Sequence, residues 1–197
     1  GRHDTAGTAR TFRAADGREV SVSGAYGWRI DQGAEAAALA AMVRTGQSQS
    51  REPQYATAAA LHGEQEWGQT YVEIDLTNQH VYMVKDGAVV WDAPCVTGNE
   101  AKGHHTPAGI YTLAYKQQDR VLRGAKRADG SYEYESPVSY WMPFNGGIGL
   151  HDANWRGSFG GTIYKTNGSH GCVNLPPDRT RALYDLVYQG IPVICYH

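Results

Sequence analysis

No segment of this 197-residue chain approaches the ~18–20 consecutive apolar residues that a membrane-spanning helix requires, so none is expected. No signal peptide is visible either. The chain opens Gly1-Arg2-His3-Asp4 without a methionine. That reads as a trimmed start, compatible with a membrane anchor or further domains upstream. Excess charge of one sign is also missing: 18 Lys and Arg stand against 20 Asp and Glu, a net −2, which gives no reason to expect a nucleic-acid partner. Internal repeats and low-complexity tracts are absent. Cysteine is scarce at three, and an odd count leaves at least one thiol free. No Cys-x-x-Cys occurs, which removes the usual zinc modules. Only three Phe stand beside 24 Gly and 13 Tyr, a composition that leans towards strands, turns and exposed aromatic clefts.

The pattern divides the chain into two parts. Residues 1–66 read as a small α+β domain. Thr11 to Val22 alternates around an Asp16-Gly17 turn, and Tyr26 to Ile30 reads as a short strand. Asp31 is placed to cap a helix with Glu35 in its first turn, Leu39, Met42 and Val43 on one face, and Arg44 and Gly46 at its end. Gln47 to Pro53 is a polar loop. Residues 67–197 read as mainly β, sandwich-like, with one C-terminal helix. Thr70 to Leu76, His80 to Lys85 and Val89 to Trp91 are strands, the last two joined through Asp86-Gly87. Lys116 to Ser136 breaks the pattern with five basic and four acidic residues. It reads as a loop or protruding hairpin, a lid over the domain. Pro176-Pro177-Asp178 starts a helix that Gly190 and Pro192 stop, and Ile191 to Tyr196 is a final strand.

The chemistry concentrates near the C-terminus. Ser169-His170-Gly171-Cys172-Val173-Asn174 places a cysteine in a Gly-flanked turn, and Gly149-Leu150-His151-Asp152 supplies a histidine upstream. A thiol works as a nucleophile once an imidazole takes its proton. Cys172 is the candidate nucleophile, with the backbone N–H groups of Gly171, Cys172 and His170 as oxyanion donors. His151 is the candidate base, because it arrives from a separate segment and can face Cys172. His170 is tied to the same turn as the thiol and is expected beside the site. Asp152 invites a triad, but strand neighbours point to opposite faces, so a structural hydrogen bond is the better reading. Ser169 and Asn174 are suited to hold the turn. Tyr140-Trp141-Met142 would border the site as substrate contacts, with the Tyr140 hydroxyl near the oxyanion, or else form an aromatic stripe of core. His104-His105 matches no zinc spacing, so neither metal nor cofactor is expected. Cys95 and Cys195 sit in strand-like runs; they are either a disulfide or two buried thiols.

His-x17-Ser-His-Gly-Cys-x-Asn resembles the signature of the L,D-transpeptidase (YkuD-type) family. The resemblance runs from about Thr70 to Tyr196 and includes Asp75-Leu76-Thr77-Asn78-Gln79, Thr106-Pro107-Ala108-Gly109 and Pro137-Val138-Ser139-Tyr140-Trp141. It implies a β-rich sandwich with Cys172 and His151 in one cleft beneath a lid, His151 as the base, and a main-chain carbonyl as third member of the triad. It also implies an extracytoplasmic enzyme of the cell wall or outer membrane face. Its substrates would be peptidoglycan stem peptides, joined 3→3 through a thioester with release of D-alanine, and carbapenems would acylate the cysteine. The first 60 residues are similar to the domain preceding the catalytic one in Gram-positive members, which is assigned to peptidoglycan binding. A cell-wall cysteine hydrolase and a non-catalytic wall-binding protein remain as other readings.

Overall fold

The computed structural model describes residues 3–46 and 48–197, so Gly1, Arg2 and Gln47, on which the trimmed start and part of the polar loop were read, lie outside the described residues. The first strands, β1 (Arg10–Arg13) and β2 (Glu19–Val22), form the hairpin that Asp16-Gly17 predicts. Strand β3 (Arg29–Ile30) leads into helix α1 (Gln32–Thr45), and β4 (Tyr55–Thr57) returns to pair with β3. The Asp31 side chain accepts the Ala34 N–H at 2.9 Å, and Gly46 closes α1 in the left-handed region at φ 66. The apolar face expected on α1 is not buried: Leu39 is 49% exposed and Val43 82%. The helix is rich in alanine, so propensity and its caps hold it rather than packing.

Strands β5 (Tyr71–Asp75), β6 (His80–Lys85) and β7 (Ala88–Pro94) follow as a meander, then β8 (Gly109–Thr112). Strands β9 (Gln117–Arg123) and β10 (Glu135–Asn145) make a long hairpin where Lys116 to Ser136 breaks the pattern, and β11 (Ile148–Asp152) continues it. A crossover containing α2 (Ile163–Asn167) leads to β12 (Val173–Leu175). Helix α3 (Pro177–Leu186) and β13 (Pro192–Tyr196) complete the chain.

Two sheets result. One has the order β7-β6-β5-β13-β8, the other β12-β11-β10-β9. They face each other across one core: Val72, Ile74, Val81 and Met83 from the first meet Met142, Phe144, Leu150 and Val173 from the second, with Leu183 of α3 at the edge. Burial of such side chains stabilises by roughly 1.5–3 kcal/mol each. Alternation along β13 sends Val193 and Cys195 into this core and Ile194 and Tyr196 to the opposite face.

On that opposite face the β1–β2 hairpin docks. Phe12 meets Trp67, Tyr71 and Tyr196 with ring centroids 5.4, 5.5 and 5.7 Å away. Polar ties fix its tip: Glu73 accepts the Ala15 N–H at 3.0 Å, and Arg18 pairs with Asp75. Phe12 is 1% exposed, so Phe12→Ala should lower stability by roughly 3–5 kcal/mol in chemical denaturation. A change within 1 kcal/mol would mean that the hairpin contributes little to the fold.

Of the two readings left open for Cys95 and Cys195, a disulfide or two buried thiols, the structure has the second: both are buried free thiols. Cys95 follows β7 and Cys195 lies on β13, and the sheet order inserts β6 and β5 between those strands.

Candidate active site

Parallel pairing of β11 with β12 builds the site. Such a pair requires a long crossover, here residues 153–172, which returns the chain beside β11 with the cysteine motif at its end. The register sets Trp141, His151 and Asn174 opposite one another on three adjacent strands. Their neighbours Met142, Leu150 and Val173 point into the core. By alternation, the first three share the outer face of the sheet, next to Cys172.

The turn before β12 is held from several sides. Gly171 has φ +118, a backbone region that side chains rarely adopt. The Ser169 hydroxyl accepts the Gly171 N–H at 3.0 Å and donates to the Cys172 carbonyl at 2.5 Å. Thr106 donates to the Gly171 carbonyl at 2.6 Å and accepts the Gly98 N–H at 3.0 Å. Gly98 leaves no room for a side chain, since a Cβ there would fall 1.7 Å from the His104 carbonyl oxygen. The Thr97-Gly98 and Thr106-Pro107 segments thus brace the cysteine turn.

His151 is buried at 3% exposure. Its Nδ1 lies 2.8 Å from the Asp152 carbonyl oxygen, which can only accept. Nδ1 therefore carries the proton, and in the neutral ring Nε2 accepts from the Asn174 side-chain amide at 3.0 Å. Burial pulls the imidazole below its ordinary pKa, against the Asp152 carbonyl bond, which raises it. Cys172 is half-buried, and burial pushes its thiol up to about 11; its Sγ donates to the Gly147 carbonyl at 3.5 Å. Burial thus disfavours the charged form of both the thiol and the imidazole, which line one cleft.

The remaining sequence candidates divide. His170 stands exposed, with ring centroids 4.6 Å from His104 and 4.7 Å from Tyr134. The Asp152 carboxylate accepts the Tyr140 N–H at 2.8 Å. Trp141 is buried, its ring 6.0 Å from that of His151. Met142 is fully buried in the core, and the half-buried Tyr140 packs its ring on Tyr184 of α3 at 5.1 Å. The reason is alternation, which turns Trp141 outward and its two neighbours inward. The Gly171 N–H, expected as an oxyanion donor, is taken by Ser169. Among the described residues, no three His, Cys, Asp or Glu side chains converge as a metal site.

Two cavities meet at Cys172. One, of about 170 Å³, is lined by Ser136, His151, Trp155, Arg156, His170 and Asn174. The other, of about 560 Å³, is lined by Tyr115, Asp119, Arg120, Arg123, Trp141 and Gly147. Leu122 and Tyr134 of the β9–β10 hairpin border both. Sequence reasoning missed Leu122, Tyr134 and Arg156. The only signal for the first two was the unusual length and charge of their segment, and Arg156 gave none. A larger cavity, about 740 Å³, lies apart, between the β1–β2 hairpin and the β6–β7 turn.

Fold and site define a cysteine-dependent acyltransferase, and the chain belongs to the L,D-transpeptidase family: the YkuD L,D-transpeptidase catalytic domain matches residues 69–195. An L,D-transpeptidase of Enterococcus faecium, solved as its C442S mutant, is 35% identical over 99% of this chain and 77% of its own, with TM-score 0.82. The Ldtfm–avibactam carbamoyl enzyme is 36% identical over 98% and 75%, with TM-score 0.83. The ertapenem-acylated catalytic domain of the E. faecium enzyme is 43% identical over 65% and 97%, with TM-score 0.57. No curated protein matches at a significant level. The protein is a peptidoglycan L,D-transpeptidase, an enzyme that works through a cysteine. Its substrate implies extracytoplasmic action; no helix among the described residues is long and apolar enough to cross a membrane.

Proposed function

We propose that Cys172 is the nucleophile and His151 the base of a reaction that joins two peptidoglycan stems by 3→3 cross-links. Cys172 Sγ attacks the carbonyl of the third residue of a tetrapeptide stem while its proton passes to His151. The bond to D-alanine breaks, and His151 returns the proton to the departing amine. The side-chain amine of a second stem then attacks the thioester, gives its proton to His151, and expels the thiol. The N–H groups of Cys172 and His170 are the oxyanion donors in this reading. Ser169, Gly171 and Asn174 hold the turn, and Trp141 borders the substrate. No metal or cofactor takes part.

The observation that carries this reading is the meeting of two cavities at one sulfur. A transferase needs a donor on one side of the thioester and an amine on the other, and the hairpin carrying Leu122 and Tyr134 separates two such approaches. Water in place of the amine would make the enzyme an L,D-carboxypeptidase. The hairpin acts as a lid: removing residues 121–136 and closing β9 on β10 with a tight turn should lower turnover of stem peptides while circular dichroism stays native. Unchanged kinetics in the folded deletion would remove the lid role. Residues 1–66 form a small α+β unit ahead of a family match that starts at residue 69, with its β1–β2 hairpin docked on the catalytic sandwich. The enzyme works in the cell wall or anchored at the outer membrane face.

Carbapenems acylate Cys172 in this reading, as the ertapenem adduct of the E. faecium domain suggests. Peptide mapping by mass spectrometry after incubation with ertapenem tests it. One adduct on the peptide containing Cys172 is expected, and none on Cys95 or Cys195. An unmodified Cys172 would refute the assignment.

A further inference from the structure

Arg156 belongs to neither the sequence motif nor the reaction steps above, yet it stands one side chain away from the base. It lies in the crossover between β11 and β12, half-buried in the smaller cavity, with its own N–H bonded to the Ala153 carbonyl at 3.1 Å. Its guanidinium forks. Nε donates to Asn174 Oδ1 at 2.7 Å and Nη1 to the Asn167 carbonyl at 2.8 Å. Among the described residues, it is the one permanently charged side chain lining that cavity.

The polarity of these bonds runs in one direction. A guanidinium only donates, so Asn174 must turn its oxygen to Arg156 and its NH₂ to His151. The NH₂ donates, so His151 Nε2 must accept at 3.0 Å. From the other side, the Asp152 carbonyl demands the proton on Nδ1 at 2.8 Å. Both ends of the relay select the same tautomer, with the proton on Nδ1 and the Nε2 lone pair directed at the Asn174 NH₂. Without Arg156 the Asn174 amide could rotate, and its oxygen would then favour a proton on Nε2. That ring is useless as a base at this atom.

We propose that Arg156 is a positioning residue: through Asn174 it locks His151 in the tautomer whose Nε2 can take the thiol proton. The proposal rests on the reading of His151 as base. Burial and the Arg156 charge both oppose a second proton on the ring, and the Asp152 carbonyl and carboxylate act the other way. The anchorage at Asn167 also makes the lock geometric, because it fixes the guanidinium plane.

The test combines imidazole ¹⁵N NMR with acylation kinetics on the whole chain. The wild type should show His151 protonated at Nδ1 and bare at Nε2. Arg156→Gln should admit the Nε2–H form and slow ertapenem acylation by roughly 10- to 100-fold, the scale known for groups that orient metal-bound histidines. Arg156→Lys keeps a group that only donates and should retain more of the wild-type tautomer and rate than Arg156→Gln. In an Asn174→Ala background, Arg156→Gln should cost nothing further, since its route to His151 is already cut. A folded Arg156→Gln variant with the wild-type tautomer, an Arg156→Lys no better than Arg156→Gln, or additive losses in the double variant would each overturn the proposal. Failure of the underlying reading is told apart by His151→Ala: if that variant acylates normally, His151 is not the base, whatever its tautomer.

Discussion

Cys172→Ala should abolish both acylation by carbapenems and cross-linking of stem peptides, with the fold unchanged. The removed atom is the sulfur at which the two cavities meet, and neither other thiol can replace it. Cys95 and Cys195 are fully buried in the sandwich core, where burial holds both thiols well above their ordinary pKa. A nucleophile there would need both an opening of the core and a base, and neither is at hand. The stability loss should be small, because Cys172 is only half-buried and its sulfur meets backbone groups alone, at Gly147 and Gly149, among its hydrogen-bond partners. Loss of turnover with an unchanged melting temperature is the expected pair of results. Residual normal turnover would end the assignment.

His151→Ala should slow acylation by roughly 10²- to 10⁴-fold, the usual contribution of a general base. The thiol raised to about 11 makes the loss severe, since almost no thiolate forms unaided near neutrality. The pH profile carries a second signature. Burial lowers the His151 pKa, so the ring stays neutral and basic below the ordinary imidazole value of about 6.5. The acid limb of kcat/KM should therefore lie below that value, and it should vanish in His151→Ala. Stability has the same sign. Below about 6.5 the unfolded chain binds a proton that the native ring resists, so stability falls as pH drops through that range. An acid limb above 7 would contradict the buried, neutral histidine. His170→Ala should have the lesser effect, because His170 stacks outward on His104 and Tyr134.

What could be read in advance followed the range of each signal. The hairpin at Asp16-Gly17, the caps Asp31 and Gly46, and the constraints at Ser169 and Gly171 act within a few residues, so sequence carries them. Sheet order is not local. Cys95 and Cys195 lie in apolar runs that look alike in sequence, and only the insertion of β5 and β6 between β7 and β13 shows why they do not bond. The parallel pairing of β11 and β12, which sets Asn174 opposite His151, has no local signal either. Tyr140, Trp141 and Met142 show the opposite failure. The period-2 rule was available and would have kept Trp141 alone on the outer face. Helix α1 had the right period and caps, but periodicity does not say whether anything covers a face. The charged stretch Lys116 to Ser136 was legible as a protrusion, while the placement of Leu122 and Tyr134 at both cavities depends on how the β9–β10 hairpin folds over the sheet.

The most direct test of the central claim is the product formed from a disaccharide-tetrapeptide stem alone. Tandem mass spectrometry should find a dimer lacking one D-alanine, with its new amide between the third residue of one stem and the side chain of the third residue of the other. Free D-alanine with tripeptide monomer and no dimer would mean that water, not a second stem, reaches the thioester, and would contradict the account.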